Sequence, residues 1–315
     1  MRFFTMPALR CSKTAPEVCF QTVPARSRTV HPGDCPMLLP RVATLLTSLS
    51  LCALAQAAPT AYPLTVENCG SSLTFQHAPA RTVTIGQAGT EMLYALGLGD
   101  KVVGTSLWFN DVLGTYKAQN DRIERLADNE PSFEAVIGKR PELVAVELEW
   151  MVGPQGAVGT REQFHELKIP TYLLPSDCEA KDNLVGADGT RLAPFRIDTI
   201  YKSVSQLAQI FDVQERGQQL NDELKASLAK SIATAQGKQL KDASALVWFS
   251  SAQMDIEPFV AGHKGIPDFM LDTLGVRNVV QSDEEWPTVG WETIAKANPT
   301  FLVICLLYTS DAADE

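Results

Sequence analysis

This chain writes one phrase twice. SFEAVIGKRPELVAV at 132–146 and GWETIAKANPTFLVI at 290–304 each give an aromatic, a Glu, a short apolar stretch with a Lys, a Pro seven residues after the Glu, and an apolar run. The glutamates are Glu134 and Glu292, and the prolines are Pro141 and Pro299. A Pro just past two helical turns cannot continue the helix, so each copy reads as one helix–strand unit. A second echo precedes each copy. TEMLYALGLGDKVVG at 90–104 and GIPDFMLDTLGVRNVV at 265–280 both give a short amphipathic helix, a Leu-Gly stop and a Val-rich run. Either echo alone is within reach of chance, but two in the same order predict two similar α/β units.

The rest of the chain agrees with that class. RTVTIG, KVVG, ELVAVELEW, IPTYLLP and SALVWFSS read as strands, with helical stretches such as TREQFHEL between them. Such βα alternation is the mark of a parallel sheet covered by helices. YPLTVENCGSSLTF at 62–75 reads as a hairpin turning at Asn68-Cys69-Gly70. Between the echoes lies a helical pattern of unusual length, even if it breaks near Asp212, with Ile197, Ile200, Val204, Leu207 and Ile210 on one face. The expected architecture is α/β: two pseudo-symmetric parallel-sheet lobes joined by a long rigid helix. The N-terminal lobe spans 62–191, the interlobe helix 192–240, and an incomplete C-terminal lobe 243–304, the second lobe being truncated at its C-terminus. Residues 305–315, CLLYTSDAADE, abandon the pattern and read as a non-native tail.

A length of 315 residues suits two cores better than one. The formal net charge of −10 and the 8% aromatic content exclude a typical nucleic-acid binder. MLLPRVATLLTSLSLCALAQA at 37–57 has a start Met, one Arg, a leucine-rich core and Ala55-Gln56-Ala57, which reads as a secretory signal peptide. Residues 1–36 then read as upstream sequence ahead of the true start. Leu51 ahead of Cys52 disfavours a lipid anchor. Past the cleavage site, and with Cys305 in the tail, Cys69 and Cys178 are left as an even pair in an oxidising compartment. They are expected to form a disulfide closing a long loop.

The sequence carries no G-x-S-x-G, H-E-x-x-H or phosphate-loop motif, and His77, His165 and His263 lack metal-ligand spacing. The order and spacing of the export signal, the two echoes, the long helix and EEWPTVGWETIAKANPTFLVI resemble the periplasmic substrate-binding proteins of ABC importers for iron-siderophore, haem and cobalamin. That resemblance runs from about residue 62 to 304. It implies a non-enzymatic, exported protein without a cofactor or bound metal of its own, which captures a metal chelate or corrinoid between its lobes. It also implies delivery to a permease dimer, through which alone the protein meets the membrane. An exported two-lobed metal-chelate-processing enzyme subunit is the alternative. A cluster enzyme needs several Cys ligands, and of the seven cysteines only one pair lies between the cleavage site and the tail. A purely structural surface protein would need no aromatic-lined cleft.

In such folds ligands lie beyond the carboxyl ends of the strands. The loops there carry Gln87, Thr90, Trp108, Phe109, Glu149, Trp150, Met151 and Arg161 from the first unit. The second offers Ser250, Ser251, His263, Lys264, Trp286 and Pro287. The expected ligand-binding set is Gln87, Thr90, Trp108, Phe109, Trp150, Arg161, Ser250, His263 and Trp286, with Trp286 foremost. Flat aromatic walls and few basic residues suit a neutral or weakly charged chelate or corrinoid. A carboxylate in a first helical turn is favoured by the helix dipole alone. The resemblance gives Glu134 and Glu292 a second role, docking onto arginines of the two permease subunits. A helical spine also predicts little movement on ligand binding.

Overall fold

A computed structural model describes residues 58–184, 189–238, 240, 242–251 and 256–305. The expected upstream segment 1–36, the signal peptide at 37–57 and all but the first residue of the 305–315 tail lie outside these.

The chain opens with an antiparallel hairpin, β1 (Leu64–Asn68) and β2 (Ser71–Phe75). Then follow β3 (Thr82–Ile85), α1 (Gln87–Ala95), β4 (Val102–Ser106), α2 (Lys117–Asn120), β5 (Arg125–Ala127), α3 (Phe133–Gly138), β6 (Leu143–Val146), α4 (Arg161–Glu166) and β7 (Thr171–Leu173). Five of these strands form a parallel sheet in the order β5-β4-β3-β6-β7. Val83, Ile85, Leu143, Val144 and Val146 are fully buried, which is why the strands read as continuous apolar runs. Leu143 packs on one face with Leu93 of α1, while Val144 and Val146 pack on the other with Val136 of α3 and Phe164 of α4. Local signals set the short helices. Ser132 Oγ accepts from Ala135 N at α3, and Thr160 and Gln163 form a capping box at α4.

A two-residue ribbon follows, β8 (Lys181–Asp182) with β9 (Thr190–Arg191), and then α5 (Asp198–Ile210) and α6 (Gln214–Gln236). The single helix expected over 192–240 is therefore two helices. Asp212 takes a left-handed φ of 58°, its carboxylate accepts from Thr60 N at 2.6 Å, and Val213 N bonds back to Ala208 O at 2.8 Å. The chain reverses there. Asn221 of α6 donates to Tyr201 O at 3.1 Å and Ser205 Oγ at 2.9 Å on α5. The straight element is α6, which at 23 residues is about 34 Å long.

The second sheet is built from β10 (Ser244–Ser250), β11 (Phe259–Val260), β12 (Arg277–Asn278) and β13 (Phe301–Ile304), with α7 (Ile266–Leu274) and α8 (Trp291–Ala297) between strands. β12 pairs with the start of β10 and β11 with its end, while β13 also runs parallel to β10. The repeated phrases thus make repeated structure. In the first sheet the strands after the two echoes, β4 and β6, flank β3; in the second, β12 and β13 each pair with β10. The echo helices lie on opposite faces in both sheets: Leu93 of α1 and Val136 of α3 in separate cores, Leu271 of α7 and Ile294 of α8 likewise. The second sheet departs from the first in two ways. β11 pairs antiparallel with β10, so this sheet is mixed where an all-parallel one was expected. The exposure of the last strand also differs. β6 is buried, whereas all four residues of β13 are 44–50% exposed.

Candidate functional site

The carboxyl ends of the first sheet converge on a polar network. Gly86 ends β3 with φ 123°, and a Cβ there would lie 2.2 Å from Glu147 Cβ, so only glycine lets Glu147 cross it. Glu147 follows β6 directly and accepts from Ala88 N in the first turn of α1 at 2.8 Å. Burial holds its carboxyl above the ordinary value. The Ala88 N–H opposes that rise, and the charges of Asp177 and Glu91 add to it. One residue before Ala88, Gln87 accepts from Asn110 N at 3.1 Å and donates to Asp111 O and Glu91. Glu91 also accepts from Leu113 N at 2.9 Å. These bonds fix the loop after β4, which exposes Phe109 (52%) and Leu113 (56%).

The loops after β6 and β7 join beside this. Asp177 accepts from Glu149 N at 2.6 Å and pairs with Lys181 at 2.5 Å, both side chains being buried. Burial raises the Asp177 carboxyl, and Lys181 counteracts it. Asn183 donates to Glu149 and to Asp177 O. The expected disulfide is present: Cys69 and Cys178 tie the β1–β2 turn to the loop after β7. A cavity of about 660 Å³ opens against it, lined in part by Glu149, Asp182 and Lys202.

The second sheet and its loops carry aromatics of their own. Trp286 is 41% exposed, and its ring lies 4.1 Å from that of Phe249. His263 Nδ1 lies 3.1 Å from Asp268, which also accepts from Asn278. Arg191 Nε bonds Glu285 Oε1 at 2.7 Å, linking the β8–β9 ribbon to the segment before Trp286.

Several expected ligand contacts are structural. Arg161 is buried, not facing a cleft. Its guanidinium donates to Cys69 O, Asn68 O, and Thr171 O and Oγ1, so it braces the hairpin turn. Thr90 is fully buried, its hydroxyl bonded to Thr84, Gly86 O and Thr105. Trp108 is 9% exposed, donates to Thr105 Oγ1 and stacks under Arg125. Met151 is fully buried, and Trp150 packs half-buried on the same core. Gln87 bonds the loop that carries Phe109, and Trp286 stands on the loop between β12 and α8. Ser250 ends β10, where it pairs with Phe259, and Ser251 accepts from Trp248. Glu147, Asp177, Arg191 and Glu285 were not singled out from sequence. Only Glu147 carried a local signal, as the first residue beyond a buried strand.

Residues 83–309 match the family described as "Periplasmic binding protein". An ABC transporter substrate-binding lipoprotein of Bacillus subtilis is 26% identical over 243 residues, covering 77% of this chain and 69% of that protein. A vitamin B12-binding protein of Pectobacterium carotovorum is 21% identical, covering 72% and 71%. Among solved structures, a periplasmic binding protein of Veillonella parvula superposes with a TM-score of 0.62 at 23% identity, covering 80% of this chain and 79% of that one. A protein of an ABC-type Fe3+-hydroxamate transport system from Saccharomonospora viridis gives 0.60 at 24%, covering 78% and 80%. The family match spans most of the chain, the neighbours share its parallel-sheet architecture, and the chain belongs to the periplasmic binding protein family.

Proposed function

We propose that this chain is an exported solute-binding protein that captures a neutral or weakly charged metal chelate or corrinoid between two lobes, one per sheet. It releases the ligand unchanged to the permease dimer of an ABC importer. The observation that carries this reading is the exposure of Phe109 and Trp286 at loops beyond the two sheets in a chain of this family. Flat rings at such places suit a macrocycle or a catechol-type chelate. The charge balance supports a ligand of low charge. Lys181 and Arg191 are paired with carboxylates and Arg161 is bonded to carbonyls, while Glu91, Glu147 and Glu149 stand at the strand ends. The vitamin B12 and Fe3+-hydroxamate proteins among the similar chains point to the same ligand range. Among the described residues no helix is long and apolar enough to cross a membrane.

Glu134 and Glu292 are exposed and stand in the first turns of the two matching helices. We assign them to docking, one per permease subunit. The ligand reading is tested by titrating haemin, cyanocobalamin and a ferric siderophore against intrinsic tryptophan fluorescence. Saturable binding of one is expected; an unchanged signal with all three removes the ligand class. Docking is tested by Glu134→Lys with Glu292→Lys. Ligand affinity should hold while uptake falls, more steeply at low salt. Normal uptake by the double variant reduces both residues to helix-start acids.

A further inference from the structure

The segment that presents Trp286 is held from both sides. Backbone bonds run from Gly262 N to Glu285 O at 3.2 Å and from Val260 N to Pro287 O at 3.0 Å. A Cβ on Gly262 would lie 2.0 Å from Glu284 O, so the close approach requires glycine. The residue just before Trp286 is Glu285, whose carboxylate reaches Arg191 of β9. Arg191 is itself anchored to the first sheet's loops. Its Nη2 donates to Ser176 O at 3.0 Å, and β9 pairs with β8, whose Lys181 holds Asp177. Its guanidinium lies 5.6 Å from the Phe195 ring, and Phe195 continues the link with a bond to Lys264 O and an edge contact to Phe269.

Both partners of the ion pair are buried, at 6% and 8% exposure. A buried ion pair gains little over an apolar pair of the same volume, because desolvation offsets the attraction. What Arg supplies is a planar fork with fixed directions, here spent on a carboxylate in the second half and a carbonyl in the first. We propose that Arg191, acting through Glu285, is a positioning residue: it sets where the Trp286 wall stands relative to the loops after β6 and β7, and so how well that wall meets the ligand. This rests on the ligand reading above and adds a residue that touches no ligand itself.

The test uses the full chain carrying 5-fluorotryptophan, with the Trp286 resonance assigned by Trp286→Phe. Two variants are compared with wild type. Glu285→Gln is nearly isosteric, and Arg191→Met with Glu285→Gln leaves no buried charge unpaired. In both, the Trp286 fluorine resonance should shift or broaden while those of Trp108 and Trp150 stay in place. Affinity for whichever of cyanocobalamin, haemin and ferrichrome the wild type binds should fall by about tenfold, the worth of one good ring contact. Arg191→Lys, which keeps the charge, should recover part of both effects. A Trp286 resonance unmoved in both variants overturns the proposal, and so does a shifted resonance with affinity within twofold of wild type. If the wild type binds none of the three, the ligand reading fails on its own. The resonance then decides the positioning claim: a shift upholds it and constancy overturns it.

Discussion

Removing the Cys69–Cys178 bond tests whether the hairpin is stapled through the unfolded state or the folded one. The two cysteines are 109 residues apart. Closing a loop of that length removes about 16 cal/mol/K of chain entropy from the unfolded ensemble, or about 4.8 kcal/mol at 25 °C. Domain stabilities run about 5–15 kcal/mol, so the bond supplies a third or more of the whole. The folded state should change little, because the same turn is held independently. Asn68 exchanges bonds of 2.7 and 2.8 Å with Leu173, and Arg161 donates to Cys69 O at 2.9 Å. The perturbation is Cys69→Ala with Cys178→Ala, beside dithiothreitol reduction of wild type, each unfolded in urea. The expected result is a loss of about 4–5 kcal/mol with native circular dichroism retained and a larger denaturant slope, since the uncrosslinked chain exposes more surface. A loss below about 1 kcal/mol would refute the entropic account.

Three further outcomes follow from the site. Arg161→Met leaves the carbonyls of Asn68, Cys69 and Thr171 without their buried donor and should cost about 3 kcal/mol or more by urea titration, with ligand affinity unchanged. Lost affinity in a stably folded Arg161→Met protein would restore that residue to the ligand site. Gly86→Ala forces a Cβ against Glu147 at a positive φ and should cost about 2–5 kcal/mol, read as a lowered melting temperature. Glu147 binds its proton more tightly folded than unfolded, so its contribution to stability is complete below the unfolded carboxyl value and is lost as pH rises through the raised folded value. Glu147→Gln keeps an acceptor for Ala88 N and should flatten that decline; a stability–pH curve parallel to wild type would remove the raised value.

Elements defined by local pattern were legible in the sequence. The runs at β3 and β6 are buried on both faces, and the Leu-Gly stop after α1 coincides with a positive φ at Gly97, as Gly275 does after α7. The sequence admitted a break near Asp212, but the apolar period alone did not decide between one helix and two. Phe211 and Val213 both join the core around α5, so the apolar pattern runs unbroken across a residue whose backbone reverses the chain. Arg161 was misread because its role comes from partners 92 and 93 residues away, while its neighbours form a Gly-rich loop of the kind that often faces ligand. Arg191 and Glu285 are likewise 94 residues apart. Neither segment alone reports a pairing that exists only once the two sheets are assembled.

The distribution of charge follows from the same contacts and bears on both proposed partners. Arg161, Lys181 and Arg191 are spent inward, on carbonyls, Asp177 and Glu285. Many of the exposed ion pairs, such as Lys117–Asp121 and Lys202–Glu179, join opposite charges within the surface and add little to stability. The chain's excess of acidic residues is therefore expressed outward, as a field that repels anions and attracts cations. A highly anionic chelate would meet unfavourable potential at the strand ends, where Glu91, Glu147 and Glu149 stand, and a low-charge ligand would not. A permease face rich in arginine would meet a favourable one, focused where Glu134 and Glu292 project from matching helices. One of these is partly engaged already: Lys296 lies 3.6 Å from Glu292 within α8, with both side chains more than three-quarters exposed. An exposed pair of that length is weak enough to exchange for a bidentate arginine, so Lys296→Gln should strengthen docking slightly and leave ligand affinity untouched.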